Sequence, residues 1–183
     1  MVNLLVQKTS AMFVVYILLA IIVAILVAAW FMPSSYNVEK TIIINRSPAD
    51  VINKVADLNS YRQWNPWQQS DPGAQSTISG TPGEPGHKYA WQGKKVGVGS
   101  LTLKSIDGKH VHFDLEFIKP WKALAHDNWL FEPWGDGNEV KVTWQNSGGL
   151  SWPIARLMGP MLNKSLNQQF ETGLQNLKKM CEA

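Results

Sequence analysis

The sequence predicts an α+β domain that follows one transmembrane helix. Three observations indicate this architecture: a long uncharged apolar segment near the N-terminus, a series of short β-type segments between turn residues, and an amphipathic helical pattern at the C-terminus. At 183 residues the chain is long enough for one domain of ordinary size and an appendage. We therefore divide it into a tail (1–10), a membrane helix (11–32), a linker (33–37) and a domain (38–181).

The apolar segment 11–32 has 22 consecutive residues without a charge. As a helix with a rise of about 1.5 Å per residue it would be roughly 33 Å long, close to a hydrocarbon core of about 30 Å. Trp30 and Phe31 suit the interfacial region, and Pro33 ends the helix. The alternative is a cleaved signal peptide, whose apolar region has only about 7 to 15 residues. We favour a retained single-pass anchor.

Charge and cysteine content exclude several classes of protein. Lys8 precedes the apolar segment, so residues 33–183 carry 16 of the 17 Lys and Arg residues and all 14 Asp and Glu residues. Adjacent basic residues occur only at 94–95 and 178–179, which argues against a nucleic-acid partner. The single cysteine, Cys181, excludes an internal disulfide. Because the charges flanking the apolar segment nearly cancel, the orientation of the domain in the membrane stays open, as does the oligomeric state.

The segments after residue 37 predict strands and short helices. Segment 38–44 is β-branched, and Ser47 and Pro48 then supply a capping hydroxyl and a first-turn proline for a helix. An aromatic turn at 61–67 follows, so two short helices are expected. Six further strands are indicated by alternating apolar residues between Gly, Pro, Asp and Asn turns: 75–80, 88–92, 96–106, 110–118, 123–131 and 139–145. Their short connections require an antiparallel sheet.

The C-terminal segment predicts a long amphipathic helix that packs across the sheet. Its apolar residues recur at steps of three and four: Leu162, Leu166, Phe170, Gly173, Leu174, Leu177 and Cys181. Gly173 costs the helix about 1 kcal/mol relative to alanine, which indicates close packing or open space at that position. The apolar segment 152–161, just before this stripe, predicts either a mobile lid or a surface that dips into lipid.

Seven motifs between residues 38 and 178 carry a family resemblance: VEKTIIIN (38–45), WNPW (64–67), YAWQG (89–93), VGVG (96–99), LEFIKPW (115–121), VTW (142–144) and FETGLQNLK (170–178). Together with the element order they resemble the START and Bet v 1-like (SRPBCC) superfamily, in its bacterial polyketide cyclase/dehydrase-like branch. The resemblance implies a helix-grip fold, in which the sheet wraps on the last helix around a hydrophobic cavity. A leading membrane helix is common in this branch, which implies a location in a bacterial plasma membrane.

A cavity of this kind would be lined by the apolar faces of the strands and of the last helix. Strand parity and helical spacing select these residues: Tyr89, Trp91, Phe113, Leu115, Phe117, Trp129, Phe131, Trp144, Phe170, Gly173 and Leu174. A filled core would use the same residues, so an interaction module without a cavity also fits the sequence. The expected partners are a hydrophobic small molecule or lipid and the bilayer itself.

The sequence contains no recognised motif for catalysis, a cofactor or a metal. His110 and His112 lie on the polar side of a strand, so we expect them to face solvent. His126 and Asp127 are adjacent and must point to opposite faces, while His87 lies in a Gly- and Pro-rich loop with no evident role. We therefore favour a binding or transfer module. The alternative is a cyclase- or dehydratase-like enzyme that uses a His, Asp or Glu in the pocket on an apolar substrate.

Overall fold

The computed structural model describes the backbone of residues 2–183 and the side chains of residues 12–183 except Gln69. Its elements in chain order are α1 (Val2–Phe31), β1 (Ser35–Ile44), α2 (Pro48–Ala56), α3 (Leu58–Trp64), α4 (Pro66–Ser70), β2 (Gln75–Ser79), β3 (Lys88–Gln92), β4 (Val98–Ile106), β5 (His110–Lys119), β6 (Ala123–Trp134), β7 (Glu139–Gly149) and α5 (Ile154–Glu182). The seven strands form one antiparallel sheet in the order β1-β7-β6-β5-β4-β3-β2. The predicted sheet and long C-terminal helix are confirmed.

The helices differ from the prediction in number and in length. Ser47 caps α2 as expected, but three short helices follow β1 instead of two. Asp57 and Asn65 each accept a backbone N–H with the side chain and so start a new helix, which divides the aromatic turn into α3 and α4. The first helix begins at Val2 rather than after a ten-residue tail, since nothing in its first part breaks a helix.

The first strand is longer than predicted because its partner strand is longer too. Ser35 pairs with Gly149, so residues 35–37, predicted as a linker, belong to β1. These residues lack a continuous apolar run, and the pairing with β7 determines their structure. The β1–β7 ladder runs without interruption to the pair of Ile44 and Val140.

The last helix packs closely on β7 and α4 at Gly173. A Cβ atom at this position would lie 2.9 Å from Trp144 Cζ3 and 3.2 Å from Pro66 Cδ. The close approach explains why the stripe carries a glycine despite its low helix propensity. At the far end of α5, the Lys178 ammonium donates to the Ile43 carbonyl at 2.8 Å and holds the helix to the end of β1.

The loop histidine, His87, has a definite structural role that the sequence analysis missed. Its side chain is fully buried. Nε2 accepts a hydrogen bond from the Leu58 N–H at 3.0 Å, so the ring proton is on Nδ1, which donates to the Ser79 carbonyl at 3.1 Å. His87 therefore joins the first turn of α3 to the end of β2. It satisfies one of the N–H groups that a helix leaves unpaired at its start.

We expect His87→Leu to destabilise the domain strongly. The variant leaves the Leu58 N–H and the Ser79 carbonyl without partners, at a cost of about 1 to 3 kcal/mol each. Urea unfolding of the full chain in detergent, followed by tryptophan fluorescence, would measure the loss. His126→Leu is the matched control, because that ring is 65 % exposed and surface changes usually stay within about 0.5 kcal/mol. Equal effects of the two variants would contradict the assigned role.

Candidate functional site

A stack of three aromatic rings fills the centre of the space between sheet and α5. Trp129 on β6 and Trp144 on β7 face each other in register, with ring centroids 4.4 Å apart. Phe170 of α5 lies on Trp144 with centroids 3.8 Å apart and ring planes inclined by 9°. All three side chains are almost completely buried. Directly opposed residues on neighbouring strands bring their side chains together, which explains why the two indoles stack.

Two tryptophans from the short helices close the sides of this stack. Trp64 of α3 meets Trp129 and Trp144 edge-on, at centroid distances of 5.7 and 5.9 Å. Trp67 of α4 contacts Trp144 and Phe170 in the same manner, at 6.0 and 6.2 Å. Here the space expected to form the middle of a cavity is occupied by side chains.

The predicted lining residues divide into a buried group and a half-buried group. The buried group comprises Tyr89, Phe113, Trp129, Phe131, Trp144, Phe170, Gly173 and Leu174. The half-buried group, which we call the open end, comprises Trp91, Leu115 and Phe117. Trp91 contacts Phe117 with centroids 6.0 Å apart and also stacks beside Tyr89 at 6.0 Å. Tyr89 meets Tyr61 of α3, and Tyr61 meets Trp64, so an aromatic surface runs from the open end toward the buried stack.

A glycine in the strand between them allows Trp91 and Phe117 of the open end to make contact. Gly99 of β4 lies between Trp91 of β3 and Phe117 of β5 in the register. A Cβ atom there would lie 2.5 Å from Trp91 Cζ2, so the indole covers the place where a side chain would be. The Trp91 Nε1 donates to the Val96 carbonyl at 3.1 Å, which fixes the ring orientation.

A buried carboxylate lies beneath the aromatic stack. Asp127 points to the inner face of β6, is 4 % exposed, and accepts three hydrogen bonds. Its donors are Nε1 of Trp129 at 3.0 Å, Nε1 of Trp144 at 2.8 Å and Nδ2 of Asn146 at 3.0 Å. The Tyr36 hydroxyl donates to Asn146 Oδ1 at 2.8 Å, so the network reaches β1. Strands β1, β6 and β7 all contribute to it.

Burial sets the proton affinity of this carboxylate. Loss of solvent raises the pKa of Asp127 from 3.8 to about 6, although the three donated hydrogen bonds oppose the shift. Burial, and secondarily the charge of Asp127, raises the pKa of Tyr36 to about 12. His126 and Asp127 point to opposite faces of the sheet, as predicted, but the hydrogen-bond network of Asp127 was not predicted. The available signal was a charged residue at an inward position between Ala125 and Trp129.

The histidines do not reach the open end. His110 and His112 lie on the outer face of the sheet, as predicted; the His112 Nδ1 is 2.7 Å from Asn128 Oδ1. His126 lies on the same face, with its Nδ1 3.5 Å from Asp114. His87 is enclosed, with both ring nitrogens engaged.

Two surface grooves lie elsewhere on the part of the chain that the structure describes. One, of about 350 Å³, lies beside Arg46 and Cys181. The other, of about 420 Å³, lies beside Trp134 and Lys178. Neither includes any of the predicted lining residues.

The antiparallel sheet wrapped on α5 makes this a helix-grip domain preceded by an apolar helix. The chain belongs to the family described as polyketide cyclase / dehydrase and lipid transport, whose model matches residues 35–182. No curated protein matches the sequence significantly.

Solved structures share the fold at low sequence identity. Protein CV1439 of Chromobacterium violaceum has a TM-score of 0.59 and 13 % identity, over 83 % of this chain and 99 % of that one. TTHA0849 of Thermus thermophilus has a TM-score of 0.59 and 17 % sequence identity, over 80 % of this chain and 97 % of that one. The third structure is a point mutant of norcoclaurine synthase from Thalictrum in complex with a transition-state analogue. It has a TM-score of 0.60 and 10 % sequence identity, over 80 % of this chain and 94 % of that one. These structures resemble the domain that follows α1.

We expect Asp127→Asn to change how stability depends on pH. A carboxyl whose pKa is raised by folding stabilises the folded state only when protonated. That contribution is complete below pH 3.8 and is lost as the pH rises to about 6. The free-energy difference between wild type and variant should therefore fall by about 3 kcal/mol from about pH 3.5 to about pH 7.

Urea unfolding at a series of pH values would measure this difference. Asp114→Asn, which removes an exposed carboxyl from the outer face of β5, is the control for a change in net charge. A difference between wild type and Asp127→Asn that stays constant over this range would show that the Asp127 carboxyl does not titrate as described.

Proposed function

We propose that the chain is a membrane-anchored binding or transfer domain for a hydrophobic small molecule or lipid. The observation that carries the proposal is the aromatic surface that runs from the half-buried open end to the buried stack between sheet and α5. Membership of a family whose description includes lipid transport supports it. Ligand sites in proteins are lined mostly by apolar and aromatic side chains with few polar groups, and Trp91, Leu115 and Phe117 have this chemistry.

The ligand would lie first on Trp91, Leu115 and Phe117. Each of these side chains is only half buried and so leaves apolar area in contact with water. Covering that area releases about 25 cal/mol for each Å² of apolar surface. Deeper entry requires Phe170 or Trp67 to turn away from the stack, so the bound domain would be more open than the structure described here.

Two unpaired polar atoms support an amphiphilic ligand over a pure hydrocarbon. Nε1 of Trp64 and Oδ1 of Asn163 are buried without a hydrogen-bond partner among the described residues. Each unpaired buried group costs about 1 to 3 kcal/mol. A ligand with one acceptor and one donor group could recover part of this cost, because the indole donates and the amide oxygen accepts.

The apolar helix α1 supports the membrane anchor. Its segment Met12–Phe31 has a mean hydropathy of 3.2 and is long enough to cross a bilayer, and only 6 % of it is buried against the domain. An exposed apolar surface of this size is unfavourable in water and favourable in lipid. If α1 were instead a cleaved signal sequence, the mature chain would lack it and would have a lower mass.

The alternative function is an enzyme of the cyclase or dehydratase type. Its specific support is Asp127, a carboxyl on the inner face with a pKa of about 6. Three donors already hold its two oxygens, and the stack covers it, so a substrate would have to displace Trp129 or Trp144 to reach it. Binding without chemistry therefore has the better support.

We expect Leu115→Trp to abolish most of the ligand binding. The larger ring fills the open end and leaves less room for the ligand. A tenfold loss of affinity corresponds to about 1.4 kcal/mol of binding free energy. Native mass spectrometry of detergent-extracted protein would measure the lipophilic mass that stays bound. Leu130→Trp makes the same change on the outer face of β6 and should leave binding unchanged. A wild-type protein without bound lipophilic mass, or equal occupancy in both variants, would contradict the proposal.

The anchor is tested separately by alkaline carbonate extraction of membranes. We expect the full chain to stay in the membrane pellet with its first 32 residues intact, as measured by the mass of the extracted protein. A chain that begins at Ser34 should appear in the supernatant, because the domain residues fold around their own core. A mature chain that lacks residues 1–29 would instead identify α1 as a signal peptide.

A further inference from the structure

One end of the sheet lies next to the C-terminal end of α1. Ser35 of β1 pairs with Gly149 of β7, and the Leu150 N–H donates to the Ser34 carbonyl at 2.7 Å. Arg156 of α5 reaches the Trp30 carbonyl at 3.5 Å. The start of β1, the end of β7 and the start of α5 therefore meet at the end of α1. We call this region the anchor end of the domain.

The strand register brings two turns to the same end. Ala125 pairs with Gly148, and Phe117 pairs with Ala123, so the β5–β6 turn extends beyond the end of β7. Val98 pairs with Lys119, which places the β3–β4 turn beside it. Both turns are thus part of the anchor end.

Exposed apolar side chains are concentrated at the anchor end. Outside α1, the described residues include eight large apolar side chains that are exposed, and seven of them lie here. These seven are Ile118, Trp121, Leu124, Trp152, Ile154, Met158 and Met161. The eighth, Trp134, lies at the opposite end of β6, where it pairs with Glu139. A concentration of exposed apolar side chains at one end of a domain, which we call the patch, marks an interaction surface.

Basic residues surround this patch. They are Lys94 and Lys95 in the β3–β4 turn, Lys119 at the end of β5, Lys122 in the β5–β6 turn, and Arg156 on α5. The acidic groups nearby are Asp71, which accepts the backbone N–H groups of residues 95 and 96, and the exposed Glu116. Apolar side chains, tryptophans and long basic side chains together match the chemistry of an anionic bilayer surface.

We propose that the anchor end docks on an anionic phospholipid bilayer, with Trp121, Leu124 and the first two turns of α5 entering the interfacial layer. This inference rests on α1 being a retained anchor, because the patch continues the apolar surface of that helix. Trp30 and Phe31, the last residues of the apolar span, are 71 % and 82 % exposed. The membrane partner is therefore already adjacent to the patch, which a soluble protein partner is not.

Docking in this orientation would place the open end at the bilayer. Phe117 of the open end pairs with Ala123, next to Leu124 in the patch. A hydrophobic ligand could then pass between the lipid and the face of Trp91 and Phe117 without crossing water. Docking would thus provide the ligand of the proposed binding function with an entry route from the bilayer.

The test uses the full chain, with Cys181→Ser to remove the native thiol, and one new cysteine at a time. Trp121→Cys, Leu124→Cys and Met161→Cys probe the patch, and Trp134→Cys at the opposite end is the matched control. Each variant carries an environment-sensitive fluorophore and is reconstituted into vesicles of phosphatidylcholine and phosphatidylglycerol. We expect lipids with quenching groups near the headgroup to cause a loss of emission at the three patch positions and not at position 134.

Emission at the patch that is quenched no more than at position 134 would overturn the proposal. A shift of the patch emission to shorter wavelength without quenching by the lipids would also overturn it. That result would indicate that a second copy of the chain covers the patch. Lys119→Glu with Lys122→Glu should reduce quenching at position 124, whereas Lys109→Glu in the opposite turn should not. Equal quenching in these two backgrounds would overturn the assignment to an anionic surface.

Flotation of the vesicles in the same samples separates the two hypotheses. Protein that floats but keeps unquenched labels refutes docking and leaves the anchor in place. Protein that remains in the aqueous fraction refutes the anchor and docking together. Protein that floats with quenched patch labels supports both.

Discussion

The carboxylate of Asp127 is the interaction on which the packing of this domain depends. It accepts the indole N–H groups of Trp129 and Trp144, which would otherwise be unpaired in an apolar core. Asn146 and Tyr36 extend the network to the edge strand β1. A buried charge is expensive, and it is tolerated when hydrogen-bond donors hold its oxygens in a fixed geometry. Here the network orients two large rings, and those rings then determine where α5 can lie.

The packing that follows from this network divides the interior into two parts. Trp144 receives Phe170 on one side and requires Gly173 for the close approach of α5, so β6, β7 and α5 form a filled and specific core. Toward the β3–β4 and β5–β6 turns the packing is looser, because Trp91 and Phe117 stay half buried there. The surface proposed to accept a ligand is thus the part of the interior that the network does not fix.

Local patterns in the sequence were sufficient for the strands and the last helix, because alternation and helical spacing are properties of neighbouring residues. They were insufficient for His87 and Asp127, whose partners are distant in the chain. Leu58 lies 29 residues from His87, and two of the three donors to Asp127, Trp144 and Asn146, lie 17 and 19 residues from it. The filled centre could not be predicted either, since a cavity wall and a packed core use the same aromatic residues. Only the three-dimensional contacts distinguish them.

Covalent geometry adds a constraint that bears on the proposed docking. Residues 32–34 join α1 to β1, and three extended residues span at most about 10 Å. The eleven residues of β7 are about 37 Å long at roughly 3.4 Å per residue. With α1 in a bilayer, the short connection holds the anchor end near the lipid and leaves the opposite end distant from it. A weak affinity of the apolar patch would then be sufficient for the proposed docking, because a retained anchor would make the second contact intramolecular.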